Sequence, residues 1–278
     1  MLDSASGCRA RFSLGWLQVE TKKEWLEEET MKIQRVMASI AGALALLASG
    51  AQAAEIKVLA STAVKTTLEE LAPQFEKATG NKVDITFAPA AALKVKIEEG
   101  AAFDVAILAA PITDSLAGTG KVDTARTTIA HSGIGVAVRK GAAKPDISTT
   151  ESFKQTLLNA KSIGFTAAGA TGAYLKTLFE KLGIAEELKP KLKLLQGAAG
   201  EATATGEVEI GMTQISEILP YANAELVGPL PADIQSYTYF SAAASVASKE
   251  SDVAKAFIKF LAAPSALAVI KAKGMEPG

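Results

Sequence analysis

One order of events repeats along this chain: a short apolar run, a turn of small or hydroxyl-bearing residues, then an apolar stripe at helical spacing. It first shows in "IKVLASTAVK" (56–65), where the run ends at Ser61 and Thr62. Val64, Leu68, Leu71, Phe75 and Ala78 follow at spacings of four and three, one face of a helix. Gly80-Asn81 is its stop signal, and Pro73 inside it is expected to kink it. "KVDITFAPA" (82–90) and "AALKVKIEEG" (91–100) read as the next strand and helix, and "FDVAILAAP" (103–111) as a third strand before a short helix. "SGIGVAVRK" (132–140) is a fourth. "STTESFKQTLLNA" (148–160) opens on hydroxyls with an acid close behind, a capping signature. "SIGFTAAGATGAYLKTLFEKLG" (162–183) repeats the order, and 192–222 repeats it less cleanly. "YTYFSAAASVAS" (237–248) is a late alternating strand, and two helices split by Pro264 close the chain. Such alternation predicts α/β layers around mainly parallel sheets.

The beginning does not share this order. Residues 31–53 combine Met31, Lys32 and Arg35, an apolar stretch over Val36–Leu47 and a closing Ala-Gln-Ala. That is the make-up of a secretory signal cleaved near Ala53. The apolar stretch is short and rich in Ala and Gly for a membrane span, the competing reading. A charged leader does not normally precede a signal, so Met31 is expected to be the initiator and residues 1–30 an over-long start. The acids and bases of residues 1–53 balance, which leaves the remainder at the same net −1 as the whole. It also loses Cys8, Trp16 and Trp25, and with them every cysteine and tryptophan. An exported chain of this kind needs no disulfide machinery. Near-zero net charge gives no footprint for nucleic acid.

Catalytic groups are scarce. His131 is the only histidine, expected at the surface or a hinge rather than as a base. Without cysteine, the exported part has no thiol nucleophile and no Cys/His metal cluster. No G-x-S-x-G, Walker A or H-E-x-x-H pattern occurs, and "GATG" (169–172) is too little for a dinucleotide site. Neither a cofactor nor an enzymatic activity is expected. Hydroxyl-bearing turns are plentiful instead: Ser61-Thr62, Thr166 to Gly172 with Thr171, and Thr213-Gln214. Each falls near the C-terminal end of a predicted strand, the edge where open α/β sheets bind ligands. Helix N-termini there offer free N–H groups to an anion, and hydroxyls add donors without formal charge. The alternative is three ordinary N-caps, contributing roughly 1 kcal/mol each to their own helices.

These segments resemble the periplasmic solute-binding proteins of ABC importers, in particular the molybdate-binding branch. The resemblance rests on residues 56–110 with "FEKATG", on "EVEIGMTQ" (207–214), and on "AFIKFLAAPSALAVIKAKGMEPG" (256–278). It implies a type II periplasmic binding fold: two α/β lobes, each a mainly parallel sheet flanked by helices, joined by crossover strands. Lobe one would hold 55–132 plus 237–278, and lobe two 133–236. It implies a monomer that takes a small anion and passes it to an inner-membrane permease. Ser61 matches the family's first serine donor. The second, a Ser-Ser-Gly turn, reads Pro89-Ala90-Ala91 here, leaving the N–H groups of Ala91 and Ala92. Gln214 stands where the family has tyrosine, and Glu209 where it has an acid. Losing a serine and a tyrosine thins the donors around a tetrahedral dianion. Thr62, Thr166, Thr171, Gly172, Thr213 and Gln214 then suit either a small oxyanion or a carboxylate. An exported enzyme on the same scaffold is the alternative. A regulator's effector lobe would need a DNA-binding segment where the export signal lies.

Overall fold

Strand β1 (Glu55–Ser61) alternates as its sequence requires: Ile56, Val58 and Ala60 enter one core and Leu59 another. The computed structural model describes residues 53–167 and 169–278. The leader and the signal segment lie outside them, Ala53 excepted. A single 3-10 turn (Thr62–Val64) leads into α1 (Lys65–Thr79), whose Leu68, Leu71 and Phe75 are buried. Gly80 ends α1 in the left-handed region, φ 76°, with its N–H on the Glu76 carbonyl. Next come β2 (Lys82–Ala88), α2 (Ala90–Glu98), β3 (Val105–Ala109) and α3 (Ala110–Gly118). Strand β4 (Thr127–Arg139) follows, then α4 (Thr150–Asn159), β5 (Ile163–Thr166) and α5 (Ala170–Lys181). After α6 (Ala185–Leu188) come β6 (Leu192–Leu195), α7 (Ala199–Thr205), β7 (Ile210–Gln214) and α8 (Ile215–Ile218). The chain closes through β8 (Ala224–Pro229), β9 (Tyr237–Ala244), α9 (Ser251–Leu261), α10 (Leu267–Ala272) and β10 (Glu276–Pro277).

The strands run in the order β2-β1-β3-β9-β4-β7-β5-β6, with β8 and β10 also pairing β4. Both ends are parallel: β2-β1-β3 on one side, β7-β5-β6 on the other. The middle is antiparallel, because β9 returns against β3 and β4, and β4 runs against β7 and β8. Strand β4 is longer than the expected 132–140. Thr127–Gly133 pair with β9, and Ile134–Ala137 pair with β7, so one strand serves both halves. Gly133 sits at the change; a Cβ there would approach the Gln235 amide to 3.0 Å.

Three large apolar clusters flank this sheet, with a smaller one of Leu195, Ala199, Ala202 and Val208. Phe75, Phe257 and Leu261 pack on one face of β1-β3-β9, with the Phe75 and Phe257 rings 5.0 Å apart, edge on. Leu93, Ile97, Phe103 and Leu116 pack on its other face. Ile134, Phe153, Phe165, Phe179 and Met212 form the core of the second half. Each large buried side chain contributes roughly 1.5–3 kcal/mol. The cap of α4 differs in detail from the expected one. Thr149 and Ser152 satisfy each other's backbone N–H, while Glu151 only adds charge to the first turn.

Candidate functional site

Strands β1, β5 and β7 end at Ser61, Thr166 and Gln214, so the hydroxyl turns do fall at C-terminal strand ends. Gln214 is 4% exposed, and its Nε2 donates to Thr171 Oγ1 (3.2 Å) and Thr238 Oγ1 (2.8 Å). Thr171 lies in the first turn of α5, and Thr238 at the start of β9, the strand returning to the first half. One amide thus ties three segments. Its Oε1 is buried without a partner among the described residues. Both threonines accept from the amide, so their own O–H protons are free to donate elsewhere.

A second junction joins Thr62 and Thr213 through Glu217, on α8. Thr62 Oγ1 donates to Glu217 Oε1 at 3.3 Å, and Thr213 Oγ1 donates to Oε2 at 2.6 Å. No lysine or arginine pairs with Glu217 among the described residues. Burial first, then the charges of Glu201 and Glu217, push the nearby Tyr221 hydroxyl above its usual range.

The other expected site residues make contacts of their own. The Ser61 hydroxyl, buried, accepts from the Ala63 amide at 3.4 Å and caps its own turn. Thr166 Oγ1 donates to the Gly197 carbonyl at 2.8 Å. Ala91 and Ala92 are exposed at the start of α2, and the Ala92 N–H is taken by the Pro89 carbonyl. Gly172 is buried where a Cβ would collide with the Thr166 and Ala167 carbonyls. Its lack of a side chain lets α5 start tight against β5. Glu209 accepts from the Lys161 N–H, away from Gln214 at the opposite end of β7.

Cations stand apart from these junctions. Arg126 is held by Asp114 on α3 and by the Ser241 hydroxyl at 3.2 Å. Arg139 ends β4 beside Gly206, far along the strand from Ile134, which pairs with Gln214. Lys65, next to the Thr62 turn, leans over the Phe87 ring and toward Glu69. His131 stacks on Tyr239 (4.8 Å) and meets Tyr237 edge on. Strand alternation turns it to the opposite face from Ser132 and its partner Thr238. The donors gathered at the Gln214 junction are therefore neutral. Thr238 and Glu217 were not among the residues expected from sequence.

A model of the bacterial extracellular solute-binding proteins matches residues 56–276. This chain belongs to that family. Among curated relatives, an aconitate isomerase of a Pseudomonas species is 33% identical over 248 residues, covering 85% of this chain and 94% of that protein. The molybdate-binding protein ModA of Azotobacter vinelandii is 31% identical, covering 82% and 92%. The solved periplasmic molybdate-binding protein of the same organism superposes with a TM-score of 0.68 at 24% identity, over 80% of this chain and 99% of that one. The two-lobed α/β fold and the likeness to molybdate-binding solute-binding proteins are thus established, as the sequence led one to expect. The first relative carries an enzyme's name, so solute-binding membership leaves catalysis open for this chain.

Proposed function

We propose that this solute-binding protein works in the periplasm, capturing a small anion between its lobes and passing it to an inner-membrane permease. The lobes are residues 55–132 with 237–278, and 133–236. The single observation that carries the reading is the Gln214 junction. A buried amide and two hydroxyls, from segments of both halves, meet at the strand ends without a formal positive charge. Ordering both halves around one ligand favours the closed form.

The ligand class favoured is a polycarboxylate rather than a tetrahedral oxyanion. A dianion such as molybdate needs donors on every side, and each unmade buried bond costs roughly 1–3 kcal/mol. Here a proline precedes two alanines in place of a serine turn, and the group Gln214 leaves unpartnered is an acceptor, its N–H groups being taken by Thr171 and Thr238. A thermal-shift panel of molybdate, tungstate, sulfate, phosphate, malate, citrate and cis-aconitate tests this. A specific ligand at a hundred times its dissociation constant adds about 2.7 kcal/mol. The expected response is to tricarboxylates; a response confined to molybdate and tungstate would contradict the polycarboxylate reading.

A second reading has its own support. The 33%-identical relative named aconitate isomerase is covered almost end to end. A carboxylate, Glu217, lies at the inter-segment junction. On this reading the chain binds an unsaturated tricarboxylate and isomerises it before release. Isomerisation of cis-aconitate by the purified protein tests it.

A further inference from the structure

A carboxylate is a poor neighbour for a bound anion unless it does something there. Glu217 is oriented rather than loose: one oxygen accepts from Thr62, the other from Thr213. Those donors come from the end of β1 and the end of β7, one in each half, so closure is coupled to the placing of this group. Two hydroxyls do not exhaust its four or so lone-pair sites. No described cation neutralises it. Two other titratable groups are engaged or turned away. Asp114 holds Arg126, and His131 faces the tyrosine side of β4.

We infer that Glu217 is the proton carrier for a 1,3-shift in an unsaturated tricarboxylate, an inference that rests on the isomerase reading above. The substrate presents a methylene next to a carbon–carbon double bond conjugated to a carboxylate. The Glu217 carboxylate takes one methylene proton. The released C–H pair forms a new double bond, and the old double-bond pair moves toward the far carbon and its carboxylate. The Glu217 carboxyl, open to exchange with solvent, then delivers a proton to that far carbon. One C–H bond breaks and one forms, nothing is oxidised or reduced, and the double bond emerges shifted with its geometry free to change.

The test uses the full exported chain with cis-aconitate in heavy water, followed by proton NMR. Wild type is expected to convert it and to wash deuterium into the methylene position. E217Q keeps one acceptor and one donor for the two threonines. It should bind cis-aconitate within about threefold of wild type by calorimetry, yet lose turnover and deuterium uptake a hundredfold or more. An E217Q that turns over within tenfold of an active wild type overturns the role of Glu217 and leaves the isomerase reading standing. A wild type that binds tricarboxylate without conversion or exchange removes the isomerase reading itself, and this role with it. Should E217Q fail to fold, the wild-type kcat profile decides. A one-proton acid limb supports the carrier, and a flat profile overturns it.

Discussion

Gln214 has two amide N–H groups, and both are engaged by hydroxyls from other segments. Its place at a strand end was legible because it closes an apolar run, where the resembling family has a different residue. Thr171 was legible because it lies in a small-residue turn before a helix. Thr238 was not, because nothing in "YTYF" says which strand face turns to Gln214. Glu217 was missed because one partner, Thr62, lies 155 residues away and the other, Thr213, lies four residues back across a strand-to-helix junction. One turn along α5 from Thr171, Tyr174 donates to the Ile234 carbonyl at 2.7 Å. Burial first, then Asp233, raises the Tyr174 pKa above its ordinary 10.0. A raised pKa means the neutral form is favoured in the fold. Its contribution is full below pH 10 and fades as pH rises through the folded value. Y174F is expected to lower stability by about 1 kcal/mol at pH 8 and to flatten the loss above pH 10. Urea unfolding at the two pH values checks both parts.

At the scale of elements, the tight start of α5 positions Thr171. Gly172 permits that approach, because any Cβ there meets the Thr166 and Ala167 carbonyls. G172A should therefore push the first turn outward and destabilise by roughly 1–3 kcal/mol. It should weaken ligand binding more than G80A, where the added Cβ meets nothing within 4 Å but the backbone is left-handed. Denaturant melts paired with ligand titrations separate the two effects. Most elements were readable from periodicity and stop signals, α1 and β1 above all. Strand β8 was not. "AELVGP" lacks alternation and ends in Gly-Pro, so only its pairing with β4 makes it a strand. The length of β4 was also hidden, since its first half is held by β9, more than a hundred residues later.

At the scale of the molecule, β4 and β9 carry one sheet through both halves, and the junctions at Gln214 and Glu217 lie where those halves meet. The two-lobed plan was readable as a resemblance at both ends of the chain. The balance of donors and charge at the site was not, because it depends on which side chains the crossover brings together. Calorimetric titration of cis-aconitate and of molybdate into wild type and Q214A is the most direct single measurement. Wild type should bind one cis-aconitate per chain and molybdate more weakly, and Q214A should lose at least tenfold in cis-aconitate affinity. Nanomolar molybdate binding with no heat from cis-aconitate, or a Q214A indistinguishable from wild type, would contradict capture of a polycarboxylate at this junction.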